Sequence, residues 1–154
     1  MTRRPVVADA SLFIALERIR RLDLISAVLK QLVIPPAVHR EIGPVLARSS
    51  APTVQALSLP LDSRIVAADL GPGESEAIQL AIELRAVRVI LDDGDARLLA
   101  RSLGVPLIGT VGVLLSAKDQ GAIPALKPLI DAKPGRDQCV DQRLYRSILD
   151  EAGE

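Results

Sequence analysis

Asp92, Asp93 and Asp95 fill three of the four positions directly after the apolar run "VRVIL". One carboxylate suffices to cap a following helix, and Asp95 suits that place before "ARLLARSL", with Gly104 as the stop signal. Asp92 and Asp93 are then surplus to capping. Asp9 stands in the same relation to an earlier run, "PVVA", and Thr110 follows "VPLIG". Glu41 lies in the helical segment after "LVIP", and Glu76 in what reads as the first turn of a helix over "GPGESEAIQLAIELRA". Carboxylates gathered within a few ångströms repel by about 4 kcal/mol per close pair at an effective dielectric of 20, so a cluster of them calls for a cation. Hard oxygen donors suit Mg2+ or Mn2+. Such an ion polarises a phosphodiester and lowers the pKa of water, which is the chemistry of metal-dependent nucleases.

Each of these residues also has a role it can fill alone. Asp9 can cap a helix starting near Ser11, Glu74 and Glu76 are favourable near a helix N-terminus, Asp93-Gly94 is an ordinary turn pair, and Glu41 beside Arg40 can be a solvated helix residue. Taken singly, each is more often structural than catalytic. Their common placement after apolar runs is what points to a site.

The elements that must position them follow from the apolar pattern. Four short runs rich in Val and Ile, 5–8, 32–35, 87–91 and 105–109, read as strands. Helical patterns follow: "SLFIALERI" running on to "LDLISAVLKQL", "PAVHREI" with Pro36 in its first turn, "ARLLARSL", and "TVGVLLSAKDQG" closed by Gly121. The segment "GPGESEAIQLAIELRA" is apolar on nearly every side after its first turn, which predicts a buried helix. Residues 44–70 carry three prolines and a weak pattern, with a short helix and an edge strand at "RIVAA" as the expectation. The stretch 122–154 reads as a tail of two helices, "PALKPLIDAK" and "DQRLYRSILDEA", split by the turn "PGRDQ". Strand and helix alternation with short connections implies a parallel sheet covered on both faces. In such sheets ligands bind beyond the carboxyl ends of the strands, where Asp9, Asp92, Asp93 and Thr110 all fall.

With 154 residues, the chain has the size of one domain, and its core must be aliphatic, since Phe13 and Tyr145 are its only aromatic residues. A lone cysteine, Cys139, has no internal disulfide partner, and with His39 as the only histidine a Cys/His zinc site is excluded. These features suit a cytoplasmic protein. The apolar stretch near the N-terminus is interrupted by Asp9 and Glu17, so neither a signal peptide nor a membrane span is expected. The charges balance at 19 basic and 19 acidic groups; setting aside Asp9, Glu41, Glu76, Asp92 and Asp93 leaves 14 acids against 19 cations. A basic surround to an acidic centre suits a nucleic-acid substrate. "ERIRR" and the pair Arg97 and Arg101 are candidate phosphate contacts, although charges on helix faces are more often simply solvated.

In order and spacing, "VVADAS", "PPAVHREI", "GESEAIQLA" and "ILDDGDARLLARSLG" resemble the PIN domain, particularly small prokaryotic PIN-like proteins, and the likeness continues through "GTVGVLLSAKDQGAI" to "LYRSILDEAGE". The resemblance implies a single three-layer α/β/α domain over 1–154 with a central, mainly parallel sheet. It also implies a metal-dependent endoribonuclease, often the toxin of a toxin-antitoxin pair, that leaves a 5′-phosphate and a 3′-hydroxyl. Asp9, Glu41 and Glu76 match successive acids of the family, Glu76 replacing a more usual aspartate. Asp93 matches the last acid, with Asp92 able to share its role, and Thr110 matches a hydroxyl position near the metal. The partners implied are RNA, a small antitoxin protein and, from the apolar tail helices, a second copy in a homodimer. Two other readings compete. Phosphoryl transfer through an aspartyl-phosphate is disfavoured because Ser11 stands where its second aspartate belongs. A catalytically weak module that binds RNA or a protein partner keeps the fold without the reaction.

Overall fold

A computed structural model of the chain describes residues 3–50, 52–131 and 142–154. Its centre is a five-stranded, all-parallel sheet ordered β3-β2-β1-β4-β5, formed by β1 (Val6–Ala8), β2 (Leu32–Ile34), β3 (Thr53–Val54), β4 (Arg88–Ile90) and β5 (Leu107–Ile108). The register pairs Val7 with both Val33 and Val89, so β1 is central. Successive side chains on a strand point to opposite faces. Accordingly Ala8, Ile34 and Ile90 enter one apolar core while Val7, Val33, Val89 and Leu91 enter the other. Both faces are buried, which is why the strands read as unbroken apolar runs.

Helices cover both faces, giving the three-layer α/β/α architecture. One core is closed by α1 (Ala10–Arg18), α2 (Asp23–Val28), α7 (Thr110–Asp119), α8 (Lys127–Asp131) and α9 (Gln142–Glu151). The other is closed by α4 (Ser63–Ala67), α5 (Pro72–Leu84) and α6 (Gly94–Ser102). Between β2 and β3 runs α3 (Pro36–Ser50), whose regular part ends at Gly43, a residue with φ 82° and ψ 164° followed by Pro44. Glycine adopts that conformation without a Cβ penalty.

Four predicted strands and the helix over 71–86 are present, but several details differ. The edge strand is Thr53–Val54, whereas "RIVAA" forms α4, because Asp62 accepts the Arg64 N–H at 2.9 Å and nucleates a helical turn. The helix expected to run through residues 11–32 breaks at Arg20, whose φ of 56° lets the Arg21 N–H close on the Leu16 carbonyl at 2.8 Å. Helix α6 starts earlier than expected: Asp93, not Asp95, is its N-cap, accepting the Ala96 N–H at 2.9 Å. In α5 the apolar band is narrower than predicted, since Ile82 is exposed. The turn expected at "PGRDQ" and Cys139 lie outside the described residues.

Phe13 is the largest fully buried side chain, set in an otherwise aliphatic core. Phe13→Ala is expected to lower unfolding free energy by about 3–5 kcal/mol, read as a fall in the urea midpoint.

Candidate functional site

The carboxyl edge of the two central strands brings the acids together. Asp9 follows β1 and donates its N–H to the Ile90 carbonyl at 3.3 Å, which fixes it beside the end of β4. It is 3% exposed. As N-cap of α1, its Oδ1 accepts from the Ser11 N–H at 3.0 Å and from Ser11 Oγ at 2.5 Å. Burial nevertheless pushes its pKa from 3.8 up to about 7; the two Ser11 bonds oppose the shift, and Asp92 and Glu74 add to it by like-charge repulsion.

Asp92 faces the start of α7. Its Oδ1 accepts the Thr110 N–H at 2.7 Å and its Oδ2 the Thr110 hydroxyl at 2.5 Å. Thr110 is 2% exposed, and its hydroxyl is given to Asp92. Gly109, just before it, is small for a steric reason. A Cβ there would lie 2.9 Å from Asp92 Oδ1 and 2.7 Å from Arg97 Nη1. Arg97 does not extend towards solvent as a phosphate contact would, because its Nη1 donates to the Leu91 carbonyl at 3.0 Å.

Glu74, in the first turn of α5, has its pKa raised by burial, by Asp93 and, more weakly, by Glu41 and Asp95, against a bond from the Gly71 N–H. Glu41 meets the same turn: its Oε2 lies 2.8 Å from where a Cβ on Gly73 would stand. Gly73 therefore lets α3 and α5 approach closely enough to bring Glu41 alongside Glu74. Asp92 and Glu74 thus act through space on Asp9, and Asp93, Glu41 and Asp95 on Glu74.

Glu76 is turned elsewhere. Its Oε1 accepts the Ala37 N–H at 3.2 Å and its Oε2 lies 3.9 Å from Arg40 Nη2, so it caps the start of α3. The reason is helical geometry. Residues two apart project about 200° from each other on an α-helix, so Glu74 and Glu76 leave α5 in different directions, Glu76 towards the start of α3 just beyond the end of β2. Glu76 was expected in the first turn; because α5 begins at Pro72, that turn holds Glu74 instead. Proline at the first helical position was the available signal. Lys118 is engaged elsewhere, bonding Glu154 Oε2 at 2.9 Å and the Ala152 carbonyl.

The donors are hard carboxylate oxygens around a buried aspartate that makes no ion pair among the described residues. That chemistry fits a small divalent cation. As the side chains stand, no three Asp, Glu, His or Cys residues among those described converge on one ion position.

A family model for the PIN domain, DUF3368, matches residues 5–154. The chain belongs to the PIN-domain family. PIN domains are generally nucleases and typically use divalent metals, and the all-parallel three-layer sheet of this chain is the corresponding fold. No curated relative matches at a significant level. No helix among the described residues is long and apolar enough to cross a membrane.

The Asp9 shift has a definite sign in this PIN domain. Between pH 3.8 and about 7 the folded protein keeps a proton that the unfolded chain has lost. Its stabilising contribution is therefore full below that window and declines as pH rises through it. Metal-free wild type should lose stability to urea from pH 4 to 7 more steeply than Asp9→Asn; parallel profiles would contradict the assignment.

Proposed function

We propose that this PIN domain is a divalent-metal-dependent endoribonuclease that hydrolyses RNA phosphodiesters to a 5′-phosphate and a 3′-hydroxyl. The observation that carries the proposal is Asp9, a buried carboxylate pressed by Asp92 and Glu74 with no cationic partner among the described residues. Asp9, Glu41, Glu74 and Asp92 are the residues to hold Mg2+ or Mn2+. Asp93 is a further candidate, although its Oδ2 already caps α6. Glu74 takes the place that sequence matching gives to Glu76.

When bound, the ion supplies positive charge to the scissile phosphate and acidifies water. The chain's own contribution is positional. Ser11 fixes Oδ1 of Asp9, leaving Oδ2 for ligation. Thr110 orients both oxygens of Asp92, so its hydroxyl acts through that carboxylate rather than directly on substrate. No side-chain nucleophile is required.

The finer reading is a toxin of a toxin-antitoxin pair, with a small antitoxin peptide laid over the acidic edge and a second copy completing a homodimer. It rests on the motif resemblance and on exposed apolar side chains such as Leu59, Val66 and Leu98. A binding module without catalysis is the second reading, favoured by the lack of three converged ligands among the described residues.

Single-stranded RNA should be cleaved with Mn2+ or Mg2+, and EDTA should stop the reaction. Asp9→Asn should lower the rate by about a hundredfold or more. Cleavage that persists in EDTA, or in Asp9→Asn, argues against the metal mechanism; an inert wild type supports the binding module.

A further inference from the structure

The opposite, amino-terminal edge of the sheet carries a separate feature. A cleft of about 550 Å³ opens between the chain entering β1, the end of α2, and strands β2 and β3. Arg3 and Lys30 line it together with Gln31, Gln55, Leu29 and Leu84, and no acid lines it among the described residues. Lys30 Nζ makes one long bond among the described residues, to the Ser26 carbonyl at 3.5 Å.

The cations extend along that edge. Arg88 opens β4 opposite Val6, Val87 donates its N–H to the Pro5 carbonyl, and Arg85 caps α5. None of Arg3, Lys30, Arg85 and Arg88 makes an ion pair among the described residues. Glu83, the acid nearest to Arg85 in sequence, is occupied by the Ser58 and Leu59 N–H groups and Gln79. The protein, neutral overall, is therefore electrically polar along its strands: acidic where they end, basic where they begin.

A polyanion meets repulsion at the acidic edge unless cations hold it elsewhere. The cleft supplies two such cations together with the hydrogen-bonding side chains Gln31 and Gln55. Among the described residues no aromatic ring lines it on which a base could stack, so it selects phosphate rather than base identity. Because helices cover both faces of the sheet, an RNA strand held in the cleft runs around a helical layer to reach Asp9. That path is longer than the roughly 13 Å from Pro5 to Asp9 along the chain, so a tetranucleotide bound at the carboxylates does not reach the cleft.

We infer that this cleft is a second RNA-binding site, where Arg3 and Lys30 hold backbone phosphates of a single-stranded substrate while another part of the strand reaches the carboxylates. The inference rests on the reading that RNA is the substrate.

The test measures binding and cleavage separately. Fluorescence anisotropy in EDTA, across a salt series, compares a labelled RNA 20-mer on wild type, on the double variant Arg3→Ala/Lys30→Ala and on Lys30→Glu, with thermal melts confirming folding. The double variant should bind about tenfold more weakly, and its salt slope should fall by roughly 1.4, about 0.7 per cation lost. Its Mn2+-dependent cleavage of a tetranucleotide should equal that of wild type. Equal affinity and salt slope in all three proteins, or no wild-type binding of the 20-mer in EDTA, would overturn the inference. So would displacement of the 20-mer by an equimolar mononucleotide, which would mark a small-nucleotide site. Variant-sensitive binding without any cleavage would leave the cleft standing and remove the nuclease reading. Cleavage with variant-insensitive binding would do the reverse.

Discussion

Like-charge crowding at the carboxyl ends of β1 and β4 is the constraint on which the rest of this structure depends. Two adjacent parallel strands end side by side, Asp9 following β1 at once and Asp92 following β4 after Leu91. The Asp9 N–H is tied to the Ile90 carbonyl, so Asp9 cannot withdraw from the end of β4 without breaking the sheet. Burial then makes its ionisation costly, and Asp92 and Glu74 make it costlier. The apo protein meets this by holding Asp9 protonated up to near-neutral pH. A bound divalent ion is the other way to meet it, and the one that produces chemistry.

The scaffold keeps the crowding in place by giving most of these acids a second task. Asp9 caps α1, Asp93 caps α6, and Asp92 holds the first residue of α7. A helix N-terminus favours negative charge, so three helices that point their N-termini at one edge help to tolerate what repulsion opposes. Two glycines complete the arrangement by absence of a side chain: Gly73 admits Glu41 against α5, and Gly109 leaves room for Asp92 and Arg97. The bland and the chemical roles of these aspartates are thus not alternatives. Capping orients the carboxylate that the proposed site uses.

Much of this was legible in the sequence because buried parallel strands are written as short apolar runs with turn residues after them. The four strands and the acids following them could be read without knowing the sheet order. What escaped depends on rotation or on distant contacts. Glu74 and Glu76 differ by two positions in a helix that is apolar around most of its circumference, so hydrophobic pattern did not say which would act on Asp9 and which would meet the start of α3. Asp93 displaced Asp95 as the cap because Gly94 and Asp95 themselves enter the helix. The edge strand was sought at "RIVAA", where β-branched residues cluster, but Asp62 capping outweighed that preference. Arg97 resembled a solvent-facing phosphate contact, and only the fold reveals the Leu91 carbonyl that holds it.

The central claim is that the crowded carboxylates form a cation site centred on Asp9, and ligand-linked stability tests it most directly. Thermal melts at pH 7.5 with and without millimolar Mn2+ would compare wild type, Asp9→Asn, Glu74→Gln and Glu76→Gln. An ion that binds only the folded state at a hundredfold excess over Kd adds about 2.7 kcal/mol, which is readily seen as a rise in Tm. The account predicts that rise in wild type and in Glu76→Gln, and its loss or marked reduction in Asp9→Asn and Glu74→Gln. A wild-type Tm indifferent to Mn2+, or an undiminished rise in Asp9→Asn, would contradict it.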